Sequence, residues 1–373
     1  MEEVGTLIVG GGIAGLTTAW HHARAGGEKI LLLESERLLG THSSGRNAAI
    51  LRTVGPDPLT TSLSLRSART LRRPPAGFAQ VPLIDPCGLF LVADTSRGAT
   101  LAGWVEAAGP DSGSVEVSPE EFHRQVPFYG GEAARVFSFP QEGRLDIAAL
   151  VAGFAEGSRA AGVTIRRGVP VKRLSTTGDR VTGVELEDGT CIAAATTVMA
   201  AGGWAGRLGE TAGSRVVVIP TRRHLLITKP HESIDPGWPV IWALGDEFYC
   251  RPESGGMLLC ACDQSVVDPS DCRRDDHVCE IIAEKMTRFL PGLGDMQVAR
   301  FWCGLRTMTR DDRFALGPDP DLAGLFWVAG LGGHGMVCSF DIGRLAARRL
   351  QGGEPVSEEE RALDPARLVE ASA

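Results

Sequence analysis

Residues 7–34 constrain this chain more than any other stretch. The apolar run Leu7-Ile8-Val9 stops at Gly10-Gly11-Gly12-Ile13-Ala14-Gly15, and the next apolar run, Ile30-Leu31-Leu32-Leu33, ends in Glu34. A strand, a glycine turn opening a helix, and a second strand closed by an acid about 20 residues on form the fingerprint of a dinucleotide-binding β-α-β unit. Gly10 allows the tight turn, Gly12 lets the backbone approach a pyrophosphate, and Gly15 lets the helix pack close to the strand. Ile13 and Ala14 open that helix, whose N-terminus is expected to face the phosphates with unpaired N–H groups and a positive dipole end. Glu34, with Ser35 beside it, is expected to accept both hydrogen bonds of a ribose diol. Its charge disfavours a 2′-phosphate, and so NADP.

The chain has 373 residues, enough for two domains or one large one. A net charge of −8 gives no reason to expect nucleic acid or an anionic membrane as partner. No apolar stretch reaches about 18 residues, so no integral membrane segment is expected. Glu2 and Glu3 stand where a signal peptide would carry positive charge, which points to a cytoplasmic protein. The nine cysteines are odd in number and scattered, as expected for reduced thiols. Cys260-Ala261-Cys262 reads as two small residues on one face of a strand; without a second pair at ligand spacing, no metal site is expected.

Further along, Asp57 caps an expected helix to Arg73, with Pro58 at its first position. Gly88–Val92 reads as a strand, Ser118-Pro119-Glu120-Glu121 as a helix start, and Asp146–Ala161 as a helix. Strands are expected at Val163–Ile165, Val169–Leu174, Val181–Leu186 and Ile192–Met199. Residues 216–310 read as mainly β, with a helix near Asp276–Phe289. A last strand, Leu325–Gly330, meets Gly332-Gly333-His334-Gly335, with a helix from about Met336 to Leu350. Glycine-rich strand ends thus recur at the start, middle and end. The expected fold is α/β: a Rossmann-like nucleotide domain from residues 1–55, 138–215 and 311–373, with an inserted α+β substrate domain from 56–137 and 216–310 on a mainly antiparallel sheet.

This layout resembles the D-amino acid oxidase/glycine oxidase superfamily of FAD enzymes over nearly the whole chain. The resemblance is carried by Gly10–Gly15 with Glu34, His42-Ser43-Ser44-Gly45-Arg46-Asn47-Ala48-Ala49, Ala200-Ala201-Gly202-Gly203-Trp204, Gly304-Leu305-Arg306 and Gly332–Gly335. It is most similar to soluble D-arginine/D-amino acid dehydrogenases, through Pro74–Phe78, Trp238-Pro239, Glu247-Phe248-Tyr249 and Trp302–Arg306. The resemblance implies FAD as cofactor. Ser43, Ser44, Asn47, Ala48 and Ala49 would line pyrophosphate and flavin edge, and the Val171 backbone would meet the adenine. Ala201, Gly202, Gly332, Gly333, His334, Gly335 and Met336 would surround the flavin, the last helix stabilising negative charge at its pyrimidine. Sarcosine-type relatives tether flavin through a cysteine near Cys303. Here Cys303 aligns one residue out of register, and noncovalent FAD is expected.

The implied chemistry is removal of hydride from the Cα of a carboxylate-bearing amine, giving an imine that water hydrolyses to a 2-oxo acid and ammonia. Most of the catalytic gain is positioning, and arginine suits the carboxylate clamp because its fork binds bidentately. By resemblance Arg306 is the first clamp residue, Arg223 the second, and Tyr249 a hydrogen-bond donor to the same carboxylate. Strand alternation places Arg222 on the opposite face from Arg223. His334 either binds substrate or packs. Arg52 departs from the D-arginine dehydrogenase pattern: it either adds a cation above the ring, as in sarcosine-type oxidases, or pairs with an acid. Gly88 and Leu89 stand where those dehydrogenases carry a guanidinium-binding acid, which favours apolar, small or acidic substrates. No lysine occurs between Lys229 and Lys285, where sarcosine-type oxidases place one to activate oxygen. The expected function is D-amino acid dehydrogenation with electrons passed to a quinone or another acceptor. The alternatives are oxidation of a secondary amine such as sarcosine, proline or hydroxyproline, or of a 2-hydroxy acid. An accessory flavoprotein subunit fits less well, since one chain carries both FAD site and clamp.

Overall fold

The apolar runs at 2–9, 30–34, 191–199 and 325–329 lie side by side in one sheet of the computed structural model, which describes residues 2–369. Its parallel part runs in the order Leu325–Ala329, Cys191–Met199, Glu2–Val9, Ile30–Glu34, Thr164–Arg167. Ile30–Glu34 and Leu325–Ala329 are buried throughout, which is why they read as continuous apolar runs rather than alternating ones. On one face, the helices Ile13–Arg24, Ile147–Ala160 and Ser339–Leu350 bury Leu16, Phe154 and Ile342 in one cluster with Ile8 and Leu32. On the other, the hairpin Val171–Thr177/Arg180–Leu186 packs Leu174 and Val184 with Leu7 and Leu31.

A second sheet of nine strands carries the segments between. It is antiparallel except where Val240–Leu244 runs parallel to Leu89–Ala93. Its longest pair joins Ile219–Thr228 to Val298–Met308. The helices Pro119–Gln125 and Asp276–Phe289 supply Phe122 and Ile282 to the core on one of its faces. A small sheet of Ile50–Leu51, Ile84–Asp85 and Gly143–Leu145 lies at the junction.

The expected caps occur where the side chains predict them. Asp57 accepts from the Thr60 N–H, Asp146 from Ala149 and Ser118 from Glu121. Three details differ from expectation. The helix expected from about Met336 begins at Ser339: Ser339 N–H reaches only back to the Met336 carbonyl, at 3.3 Å, so the preceding residues form turns. Arg135–Phe139 pairs wholly within the second sheet, across the expected boundary at 138. Cys262 is not on the strand with Cys260; it lies beyond the end of Gly256–Cys260 with φ +58°. Residues 370–373 of the expected last segment lie outside the described residues.

Candidate active site

At the carboxyl ends of the parallel strands, Gly10 turns with φ +112°, and a Cβ there would stand 2.4 Å from the Ala200 carbonyl oxygen. A Cβ on Gly15 would stand 2.0 Å from the Gly10 oxygen. Only glycine therefore permits this strand-to-helix approach. Next to the turn opens a continuous cavity of about 960 Å³. It runs from Glu34, Val171 and Lys172 past Gly12, Ala201 and Gly332 to Arg306 and Tyr249, so both sheets contribute walls.

Of the residues singled out in the sequence for cofactor or substrate, all line this cavity except Gly15. Its part is the helix–strand packing just described. The electrostatics at the nucleotide end differ from expectation. Ser44 Oγ accepts the Ile13 N–H at 2.9 Å and Glu34 Oε2 accepts the Gly11 N–H at 2.7 Å. These two donors are therefore turned to protein partners instead of facing phosphate. Glu34 Oε1 also accepts from Ser35 Oγ and from the Glu36 N–H, at 3.1 and 2.8 Å. A carboxylate has about four acceptor positions, and protein donors reach three of those of Glu34. Asn47 stiffens the loop above, its Nδ2 donating to the Ser44 carbonyl and its Oδ1 accepting the Ala49 N–H, both at 2.6 Å.

FAD fits this trench. Gly12 meets only Ser44 Oγ within 4 Å of a would-be Cβ, at 3.3 Å, and Gly202 meets nothing. Both present bare backbone to the cavity, as a pyrophosphate-bearing cofactor requires. Cys303 is not part of the lining; its Sγ lies 3.6 Å from Cys272 Sγ and 3.4 Å from the Cys272 carbonyl oxygen.

At the other end, the pairing of Ile219–Thr228 with Val298–Met308 decides which side chains meet. Arg223 stands opposite Gly304 and Thr221 opposite Arg306, so both arginines share one face of the pair. Arg222 points away, to Asp275 Oδ2 at 3.2 Å and the Arg273 carbonyl. Arg223 donates to the carbonyls of Asp263 and Cys262, at 2.9 and 3.0 Å. Tyr249 comes from Phe248–Glu253, separated from Ile219–Thr228 by the strand Gly256–Cys260, and stands opposite Trp242. Burial holds its hydroxyl well above 10, so it stays a donor. Burial, and then the like charge of Arg306, bring the Arg52 guanidinium down to about 10. Burial, and then Arg52 and Arg306, press His334 down to about 3, so its imidazole is neutral at physiological pH.

Sequence reasoning missed Trp242. Arg52 Cζ stacks 3.9 Å above its ring, and the Tyr249 ring is 4.3 Å from it. It also missed Arg46, Trp204 and Glu247 as lining residues, although all three stand inside motifs already quoted. Among the described residues no cluster of His, Cys, Asp and Glu could hold a metal ion. Among them, too, no helix is long and apolar enough to cross a membrane.

The FAD dependent oxidoreductase (DAO) family matches residues 6–349. The chain is 26% identical over 368 residues to 4-methylaminobutanoate oxidase (formaldehyde-forming) of Paenarthrobacter nicotinovorans, covering 95% of this chain but only 44% of that protein. It is 32% identical over 237 residues to D-amino acid dehydrogenase of Cereibacter sphaeroides, covering 61% of this chain and 49% of the other. In fold it is similar to L-proline dehydrogenase from P. horikoshii, with a TM-score of 0.88, 21% identity and 98% of each chain covered. The chain belongs to the DAO family of FAD-dependent oxidoreductases, and FAD is its cofactor.

Proposed function

We propose that this protein oxidises a carboxylate-bearing amine at Cα, as a dehydrogenase of D-amino acids that passes electrons to a quinone or another non-oxygen acceptor. One observation carries the reading: Arg223 and Arg306 share a sheet face beside Tyr249, in the same cavity that begins at the Gly10 turn. Bound FAD supplies the hydride acceptor. Arg306, flanked by Arg223, holds the substrate carboxylate bidentately, and the Tyr249 hydroxyl donates to it. His334 is neutral and adds no charge of its own beside the amine. In this reading residues 1–55, 138–215 and 311–373 serve the cofactor, and 56–137 and 216–310 the substrate. A cytoplasmic setting fits the nine free thiols. The D hand rests on the resemblance and on the Cereibacter relative.

The non-oxygen acceptor is supported by the lysines. Lys285 does not line the cavity; its Nζ donates to the carbonyls of Glu247 and Ala261, at 2.9 and 3.1 Å. Lys172 lines the nucleotide end and pairs with Glu185. A second reading, oxidation of a secondary amine, is favoured by Arg52, which faces the cavity and pairs with no acid among the described residues.

The test is anaerobic bleaching of the flavin by D- and L-amino acids, N-methyl amino acids, prolines and hydroxy acids. Bleaching by D-amino acids with slow reoxidation in air is expected. Reoxidation within seconds would overturn the dehydrogenase reading, and bleaching by N-methyl compounds alone would select the secondary-amine reading.

A further inference from the structure

Three guanidinium groups converge on the substrate end of the cavity: Arg52, Arg223 and Arg306. Among the described residues none of them pairs with a carboxylate. Arg52 lies on the Trp242 ring, with Nη2 3.5 Å from His334 Nε2. Arg223 meets two backbone carbonyls and, at 3.4 Å, Gln264 Oε1. Arg306 faces the bare backbone of Gly333, where a Cβ would stand 3.1 Å from its Cζ. The three are close enough to repel: Arg306 acts on Arg52, and Arg223 on Arg306. Such a cluster costs free energy unless anions offset it.

Against its burial, the Cys260 thiol is lowered to about 6 by hydrogen bonds from Cys262 and Tyr249 and by the charge of Arg223, so it offsets part of the charge of Arg223 and Arg306 but is not a partner of Arg52. The carboxylates do little more. Glu247 and Asp312 line the cavity but are exposed, where water screens them. Glu34 lies at the nucleotide end, held by Gly11 and Glu36. Buried Glu142 is turned to Thr53 and does not line the cavity. A single substrate carboxylate, held by Arg223 and Arg306 across one strand pair, leaves Arg52 without a counter-charge. Arg52 reaches the cavity from a different place, just beyond the strand Ile50–Leu51 of the small junction sheet, and is supported by Trp242.

We propose that the substrate is a dicarboxylic amino or imino acid, with Arg306 and Arg223 holding the carboxylate beside the reacting carbon and Arg52 holding the second one. The proposal rests on the amine-oxidation reading above and narrows it to one substrate class.

Two measurements on the purified flavoprotein test it. In the first, unreactive acids of graded length are titrated against the visible flavin spectrum, each of malonate, succinate and glutarate beside the monoacid of equal chain length. At least one diacid should bind about tenfold or more tightly than its monoacid, and Arg52→Gln should bring that ratio to within about threefold. Equal affinities in the unmodified protein, or an unchanged ratio in Arg52→Gln, would overturn the proposal. The second needs no variant: kcat/KM for aspartate and glutamate is compared with that for asparagine and glutamine, in both hands. The acids should be preferred about tenfold or more; amides used equally well would overturn the proposal. Bleaching by monocarboxylic amino acids without any diacid preference removes this inference and leaves amine oxidation standing. Tight diacid binding with no bleaching by any amino or imino acid removes amine oxidation and leaves the diacid site.

Discussion

Arg223 and Arg306 are diagonal neighbours on one antiparallel strand pair, and the residue opposite Arg223, two positions before Arg306 on the same strand, is Gly304. The clamp is thus fixed by ladder register: a one-residue slip would turn either arginine out of the cavity. Gly304 also lets the 40s loop approach, since a Cβ there would stand 3.0 Å from the Arg46 carbonyl oxygen.

Removing the clamp should be costly and graded. Arg306→Ala should lower kcat/KM by about 10² to 10³, the loss of a bidentate charged pair, and Arg306→Lys should recover only part because it lacks the fork. Arg223→Ala should also loosen the Cys262–Asp263 turn that it holds. Steady-state kinetics on the best substrate of the bleaching panel check both.

Gly10→Ala should abolish stable flavin binding. The alanine would occupy φ +112° with its Cβ against the Ala200 carbonyl, so turn and neighbouring strand must separate. The expected outcome is a colourless preparation with a melting temperature lowered by several degrees, read by absorbance and calorimetry.

Acid precipitation should release the flavin into the supernatant. Cys303 faces Cys272 instead of the cavity, so Cys303→Ser should retain the same visible spectrum as the parent. Colour remaining in the pellet would contradict this.

His334 should contribute no limb to the pH profile of kcat/KM between about pH 5 and 9, because it takes up a proton only near pH 3. His334→Ala should change the rate while leaving the apparent pKa values of that profile in place.

Glu142 gives a stability signature. Burial lifts its carboxyl to about 7, against the hydrogen bonds from Thr53 and the charges of Arg72 and Arg52. Its Oε2 has no hydrogen-bond partner among the described residues. The folded state therefore holds a proton that the unfolded chain releases near 4.5, so stability is fully present below that pH and falls as pH rises to about 7. The loss is up to about 3 kcal/mol at one pKa unit per 1.36 kcal/mol. Glu142→Gln should flatten this dependence in denaturant titrations at pH 5, 6, 7 and 8.

Local chemistry made much of this legible. Gly10, Gly15 and Glu34 follow from turn sterics and spacing, and the caps Asp57, Ser118 and Asp146 from side-chain acceptors. Strand alternation separates Arg222 from Arg223, and the family resemblance selects Arg223 as the one in the site. Trp242 was not legible, because Val240–Leu244 reads as one more apolar run and its cavity-facing side depends on pairing with the distant strand Leu89–Ala93. The protein donors that reach Glu34 were hidden for a similar reason. Nothing in the spacing of Gly11 and Glu34 tells whether the N–H turns to the acid or to a phosphate. Glu142 carries no motif at all, and its character comes wholly from the interior around Thr53.

The parallel contact between Leu89–Ala93 and Val240–Leu244 bears on how the protein is made. During synthesis the earlier strand leaves the ribosome about 150 residues before its mate exists. Its apolar edge must wait uncovered through that interval. A nascent chain halted before residue 240 should accordingly be captured by chaperones and cut readily by protease, and the complete chain, with Leu325–Ala329 and Ser339–Leu350 in place, should resist both.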